Sequence, residues 1–73
     1  MSGRPVKRSL TLKGHRTSVS LEDEFWQAFR DIAKKKQLPI NVLASEIDVD
    51  RDPATGLASA IRVFVLDWYR SRE

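Results

Sequence analysis

The chain contains no cysteine and only one histidine among its 73 residues. Disulfide bonds and thiolate metal sites are therefore excluded, and His15 lacks the partner ligands that a transition-metal site needs. Proline and glycine are scarce, with three of each, and the glycines form no phosphate-binding loop. Small domains without disulfides or metals often gain their missing burial by oligomerising, so we expect a homodimer.

Long apolar runs are also missing. No segment approaches the roughly 18 residues that suggest a membrane-spanning helix, and residues 1–14 lack the apolar core of a signal peptide. We therefore expect a cytoplasmic protein without membrane association. A chain of this length forms one domain and rarely holds a pocket with supported catalytic residues. We predict that it is not an enzyme and uses no cofactor.

Acidic residues are absent from the first 20 positions, which carry five basic residues, Arg4, Lys7, Arg8, Lys13 and Arg16. Residues 21–54 carry eight acids against five bases, so the net charge of +3 conceals an asymmetry. A basic segment beside a near-neutral domain is typical of a polyanion binder, although a solvated tail has the same composition. We predict a flexible basic arm over residues 1–8 and a single domain over residues 9–73.

Residues 15–20 show the period-two alternation of a β-strand. The alternation places Thr17, Val19 and Leu21 on one face, and Arg16, Ser18 and Ser20 on the other. Leu10 and Leu12 alternate with polar residues in the same way. The sequence leaves open whether residues 9–13 form an additional strand, and whether Gly14 is a bulge or a turn between two short strands.

Three helices are predicted, over about residues 21–36, 40–50 and 55–71. Ser20 can cap the first helix, with Asp23 at the capping-box position, and Leu38-Pro39 ends it. The acidic residues within 48–56 either interrupt one long helix or separate two, and we favour two helices.

The apolar face of the last helix is wider than one small partner helix can cover, which favours a second chain. Together with the strand and the other helices, it defines a predicted dimer core. That core comprises Val19, Leu21, Phe25, Phe29, Ile32, Leu43, Ile47, Ile61, Phe64 and Trp68.

The segment RTSVSLEDEF (residues 16–25), followed by an apolar helix face of Phe29, Ile32 and Ala33, resembles the ribbon-helix-helix family, the fold of the Arc and MetJ repressors. The segment QLPIN (residues 37–41) is similar to the family's inter-helix turn, although Gln37 stands where the family usually has Gly. The resemblance implies a mixed α+β fold that is mainly α. An N-terminal strand would pair with its two-fold mate, forming an intermolecular two-stranded antiparallel ribbon in a homodimer, and two or three helices would follow.

The resemblance also implies a function. The protein would be a sequence-specific DNA-binding protein, most simply a bacterial transcriptional repressor at the nucleoid, with two dimers on adjacent half-sites. The ribbon would enter the major groove of double-stranded DNA, and Arg16, Ser18 and Ser20 would contact bases. Arg16 carries most weight, because a guanidinium can donate two hydrogen bonds to guanine, whereas Ser20 has a competing role as the helix cap. The predicted phosphate contacts are Arg4, Lys7, Arg8 and Lys13, with the N–H groups of Ile40, Asn41 and Val42.

Two alternatives remain. The chain could be a dimeric protein-interaction module whose last helix binds a protein partner, or an antitoxin. An antitoxin of this kind adds a C-terminal segment around its toxin, and only three residues follow Arg70, so we favour the repressor. Asp48, Asp50 and Asp52 are spaced as in a calcium loop, but Pro53 and Ser59 occupy the positions that need Gly and Glu, so no metal site is predicted.

Overall fold

An antiparallel β-hairpin followed by three helices makes up residues 3–72, the part of the chain that the computed structural model describes. The elements are β1 (Val6–Leu12), β2 (His15–Leu21), α1 (Asp23–Lys36), α2 (Ile40–Asp50) and α3 (Leu57–Arg70). The predicted mixed α+β fold, mainly α, is confirmed, because the antiparallel ribbon precedes the helices and most described residues are helical.

The hairpin is closed by a two-residue turn. Lys13 and Gly14 both have positive φ angles, of 51° and 83°, as a type I′ turn requires. The strands pair from Val6 with Leu21 at the open end to Leu12 with His15 beside the turn. Gly14 is therefore a turn residue, not a bulge, and residues 9–12 belong to an additional strand, β1, with Lys13 in the turn.

Two predictions about the N-terminal segment are corrected. Residues 6–8 are not part of a flexible arm, because they belong to β1 and pair with β2. The partner strand of the ribbon comes from the same chain, whereas the sequence argument assigned it to a second copy. The physical reason is that Leu10, only 3% exposed, joins the core and holds β1 against the body of the protein. Residues 1 and 2 of the predicted arm lie outside the described part of the chain.

The hydrophobic core lies between the inward face of the hairpin and the helices. Around this core, α2 packs on β1, and α3 packs on β2 and on both other helices. The residues predicted for a dimer core all contribute to this single-chain core. Val19, Leu21, Phe29, Ile32, Leu43 and Ile61 are buried, while Phe25, Ile47, Phe64 and Trp68 are half-buried and pack against them. The burial of the first six therefore needs no second copy.

The predicted helix cap is wrong. Strand β2 continues through Leu21, so Ser20 remains in the strand, and Glu22 is the N-cap of α1 without a side-chain capping bond. The acidic segment separates two helices, as favoured from the sequence. There the Arg51 side chain donates to Asp48 Oδ1 and to the Thr55 carbonyl oxygen, each at 2.7 Å, which fixes the connection between α2 and α3.

Helix α1 ends at a residue in the left-handed conformation. Gln37 has φ 58°, and its N–H donates to the Lys34 carbonyl oxygen at 3.0 Å. The Leu38 N–H donates to the Ala33 carbonyl oxygen, also at 3.0 Å. This pair of bonds is a Schellman motif, whose left-handed position is usually Gly. Gln37 thus occupies a left-handed position at which Gly is usual.

We expect Gln37→Gly to raise the free energy of unfolding by about 0.5–1 kcal/mol, because Gly avoids the steric cost of the left-handed conformation. Urea unfolding followed by tryptophan fluorescence measures the change. Lys35→Gly is the matched control, since it places the same residue at a right-handed helical position and should destabilise by about 1 kcal/mol. Destabilisation by Gln37→Gly would contradict the prediction and show that the Gln37 side chain contributes more than the backbone strain costs.

Candidate nucleic-acid interface

One face of the hairpin carries only polar side chains. Cross-strand pairs share a face, and the pairs on the solvent side are Lys7 with Ser20, Ser9 with Ser18 and Thr11 with Arg16. All six residues are exposed. We call this surface, comprising Lys7, Ser9, Thr11, Arg16, Ser18 and Ser20, the ribbon face.

The opposite face of the hairpin fixes which side chains point outward. Leu10, Val19 and Leu21 are buried against the helices, and side chains alternate strictly along a strand. A slip of one residue in β2 would move Val19 and Leu21 into solvent, so the register is strongly determined. The two-residue turn at Lys13-Gly14 fixes the same register from the other end.

The side chains of the ribbon face make no polar contacts within the described part of the chain. Among residues 3–72, none of its six side chains takes part in a hydrogen bond or an ion pair. The backbone behind it is nevertheless held in place, since the Ser20 carbonyl oxygen accepts a hydrogen bond of 3.1 Å from Arg62 Nη2. Fixed backbone with free polar side chains is the arrangement that a surface needs in order to bind the edges of bases.

The start of α2 lies beside the ribbon face. Asn41 Oδ1 accepts a hydrogen bond of 3.0 Å from the backbone N–H of Thr11, which joins the helix to β1. The first N–H groups of a helix have no partners within the helix, and they favour anions. The Val42 N–H already donates to the Pro39 carbonyl oxygen at 3.0 Å. Of the three predicted N–H contacts to phosphate, Ile40 and Asn41 are therefore better placed than Val42.

Comparison with protein-family models matches residues 5–69 to a ribbon-helix-helix domain. The chain belongs to the ribbon-helix-helix family. Searches of curated proteins and of solved structures give no match. Domains of this family are regulatory DNA-binding modules and typically form dimers, so membership indicates a DNA-binding transcription regulator or an antitoxin. Within residues 3–72, no helix combines the length and the apolar character needed to cross a membrane.

The structure of this ribbon-helix-helix chain removes Arg8 from the predicted phosphate contacts. Arg8 lies on the inward face of the hairpin, where its Nη2 contacts Asp23 Oδ1 at 3.2 Å. Its guanidinium also lies over the Trp26 ring, 5.5 Å from the ring centroid. The reason is the period-two alternation of β1, which the prediction of an arm over residues 1–8 does not include. Arg8 alternates with Lys7 and Ser9 and so faces the helices. Arg4, Lys7 and Lys13 are exposed.

Sequence reasoning missed Ser9 and Thr11 and assigned Lys7 only to phosphate. The structure places all three on the ribbon face, paired with the predicted base-contacting residues of β2. A signal for them exists in the sequence, because Lys7, Ser9 and Thr11 alternate with Arg8, Leu10 and Leu12. What the sequence lacked was an Asn-Gly or Asp-Gly turn, which is the strongest short-range indication of a hairpin.

The junction between β2 and α1 is fixed to α3 by an ion pair. Arg62 Nη2 lies 2.9 Å from Glu22 Oε1, and Arg62 Nε donates to the same oxygen at 3.0 Å. Hydrogen bonding from the Glu22 backbone N–H and from the Arg62 side chain holds the pKa of the Glu22 carboxyl below its ordinary value of 4.5. Arg62 thus connects the last helix to the end of the ribbon.

Acid is expected to weaken the fold through Glu22. Because the pKa of Glu22 is lowered in the folded protein, its stabilising contribution is present above pH 4.5, the ordinary pKa, and is lost as the pH falls through the folded pKa. The measurement is the free energy of unfolding in urea as a function of pH, for the wild type and Glu22→Gln. Glu22→Gln should flatten this part of the profile, and Glu24→Gln, which removes an exposed carboxylate from the same turn, should preserve it. An unchanged slope in Glu22→Gln would contradict the assignment.

Proposed function

We propose that the protein is a sequence-specific DNA-binding transcriptional repressor that acts in the bacterial cytoplasm, at the nucleoid, by occupying its operator. The observation that carries the proposal is the ribbon face, whose six polar side chains are exposed and make no bond within the described chain. A two-stranded ribbon has its strands about 4.8 Å apart and fits a major groove about 12 Å wide. Occupying an operator is a steric mechanism that needs no cofactor.

Base contacts are assigned to the outward side chains of the ribbon. Arg16 is the strongest candidate, because a guanidinium can donate in bidentate fashion to guanine O6 and N7. Ser18 and Ser20 can donate to or accept from several base edges and therefore discriminate less. The competing role of Ser20 is removed, since it does not cap α1.

Phosphate contacts are assigned to the edges of the ribbon. Lys13 lies in the exposed turn and Arg4 precedes β1, so both can flank a duplex entered by the ribbon face. The N–H groups of Ile40 and Asn41 at the start of α2 offer an anion site next to β1. Each neutralised phosphate releases counterions, so affinity should fall steeply with salt.

The test is fluorescence anisotropy with DNA from upstream of the gene and with scrambled DNA, over about 50–200 mM salt. Arg16→Ala should reduce the preference for the upstream DNA by roughly 5- to 150-fold, the equivalent of a lost bidentate guanine contact of about 1–3 kcal/mol. Arg30→Ala is the matched control, because Arg30 is exposed on α1 and carries the same charge. Weak binding that ignores sequence, collapses with salt and survives Arg16→Ala would overturn the repressor proposal.

The second candidate function is protein binding, either as a dimeric interaction module or as an antitoxin. Three large apolar side chains on the solvent side of α3 favour it, since Val63, Leu66 and Tyr69 are 55%, 51% and 41% exposed. The same surface can also join two copies in the proposed homodimer, because the ribbon is complete within one chain. Sedimentation equilibrium of the wild type and Leu66→Asp distinguishes these uses: a dimer that the substitution dissociates assigns the surface to self-association. If the wild type and Leu66→Asp are both monomers, the surface is instead assigned to a different protein partner.

A further inference from the structure

The two strands of the ribbon are related by an approximate two-fold axis within one chain. The axis runs perpendicular to the hairpin, through the midpoint of the Ser9–Ser18 pair. Rotation by half a turn about it exchanges the strands, so each residue of β1 falls on the residue nine positions later in β2. Lys7 then falls on Arg16, Ser9 on Ser18, and Thr11 on Ser20.

The exchanged residues agree in chemistry as well as in position. Each strand presents outward a basic residue, then a serine, then a second hydroxyl residue. The inward positions agree too, since Leu10 and Val19 are 3% and 4% exposed. In sequence the match is KRSLTL (residues 7–12) with RTSVSL (residues 16–21), which is too short and too degenerate to stand out until the register is known.

The correspondence holds at every position of the ribbon face but is only partial on the inward face. Arg8 falls on Thr17, but Arg8 packs on Asp23 and Trp26, whereas Thr17 is exposed. The inward faces differ because β1 packs on α2 and β2 packs on α3. Only the surface that faces away from the core agrees at all three positions, although packing does not impose agreement there, and this points to a shared external partner for both strands.

We infer that one chain carries both halves of a base-contacting ribbon, in which β1 takes the place of a second copy's strand. This inference rests on the proposed function. Lys7, Ser9 and Thr11 contact base edges as Arg16, Ser18 and Ser20 do, so one chain contacts a near-palindromic subsite. Its two ends differ, because Arg16 offers a bidentate donor fork for guanine while Lys7 offers only a compact ammonium group. The three pairs span about 14 Å, or about four base-pair steps.

The experiment selects preferred sequences from a random double-stranded DNA library with the full chain. The same selection is repeated with Arg16→Ala, Lys7→Arg and Ser9→Ala, and a titration counts the chains bound per site. Lys34→Arg and Ser59→Ala are matched controls at exposed helical positions away from the ribbon face. All the substituted side chains are exposed, so folding is preserved.

If one chain supplies both strands, Arg16→Ala relaxes the preference at a single base pair for each bound chain. Lys7→Arg strengthens the guanine preference at the opposite end by roughly 5- to 150-fold and makes the motif palindromic. Ser9→Ala weakens the preference at the centre, while both controls preserve the wild-type motif.

Two results overturn the inference while the repressor proposal stands. In the first, Arg16→Ala relaxes two symmetry-related base pairs in one groove segment and the β1 variants change nothing, which requires a ribbon built from two copies. In the second, a single base pair depends on Arg16 and the motif does not respond to Lys7→Arg or Ser9→Ala, so β1 contacts no base. Selection of no motif by the wild type overturns both proposals.

Discussion

Replacing Phe29 with Ala is expected to lower the free energy of unfolding by about 3–5 kcal/mol, the range for truncating a buried aromatic residue. Phe29 is fully buried at the centre of the core. Its ring centroid lies 6.3 Å from that of Phe64 in an edge-to-face arrangement, and 6.4 Å from that of Trp26. Truncation therefore removes the aromatic contact between α1 and α3 and leaves a cavity in the core.

The effect is large relative to the whole fold. At about 0.05–0.15 kcal/mol per residue, a domain of this size has only about 4–11 kcal/mol of stability to lose. Urea unfolding, followed by circular dichroism because Trp26 contacts the altered site, measures the change. Phe29→Leu keeps most of the volume and should cost less than half as much, while Gln27→Ala, at an exposed position of the same helix, should change stability by less than about 0.5 kcal/mol. A similar small loss of unfolding free energy in all three variants would show that Phe29 is not a core residue.

The helical part of this fold could be predicted because its information is local. Phe25, Phe29 and Ile32 repeat at helical spacing in α1, and residues that are near in sequence decide such a pattern. The outward face of β2 was predictable for the same reason, since alternation alone separates Arg16 and Ser18 from Val19. Family membership, suspected from these segments, is shown by the domain match.

The partner of β2 could not be predicted because pairing is not a local property. Alternation in residues 9–13 fits a strand but does not say which chain it pairs with, and a Lys-Gly turn is a weak signal for a hairpin. An isolated strand is not stable by itself, and the strand that pairs with β2 is the preceding one, β1. The errors at Arg8 and Ser20 follow from this, because both depend on where each strand begins and ends.

The left-handed backbone conformation of Gln37 also could not be predicted from the sequence. Gln37 stands where the family usually has Gly, yet it adopts a left-handed conformation, which Gly takes more readily. The free energy of a whole Schellman motif, with its two hydrogen bonds and the packing of Leu38, outweighs the cost of one strained residue. Local preference was overruled here by tertiary structure.

Leu10→Ala is expected to lower the free energy of unfolding by about 2–5 kcal/mol, as for a buried leucine in a packed core. The prediction follows from the 3% exposure of Leu10 and from its place in the same core as Val19 and Phe29. Ser9→Ala is the matched control, because Ser9 neighbours Leu10 but lies on the ribbon face and should change stability by less than about 0.5 kcal/mol.

The contrast between these two variants decides whether β1 is part of the folded protein. If β1 were not packed against the helices, both substitutions would leave the urea unfolding curve unchanged, and the ribbon would need a strand from another copy. If β1 is packed as the structure has it, Leu10→Ala destabilises strongly and Ser9→Ala does not. The ribbon face then depends on a hydrophobic contact behind it, because Leu10 is the buried residue that holds β1, with Lys7, Ser9 and Thr11, in register with Arg16, Ser18 and Ser20.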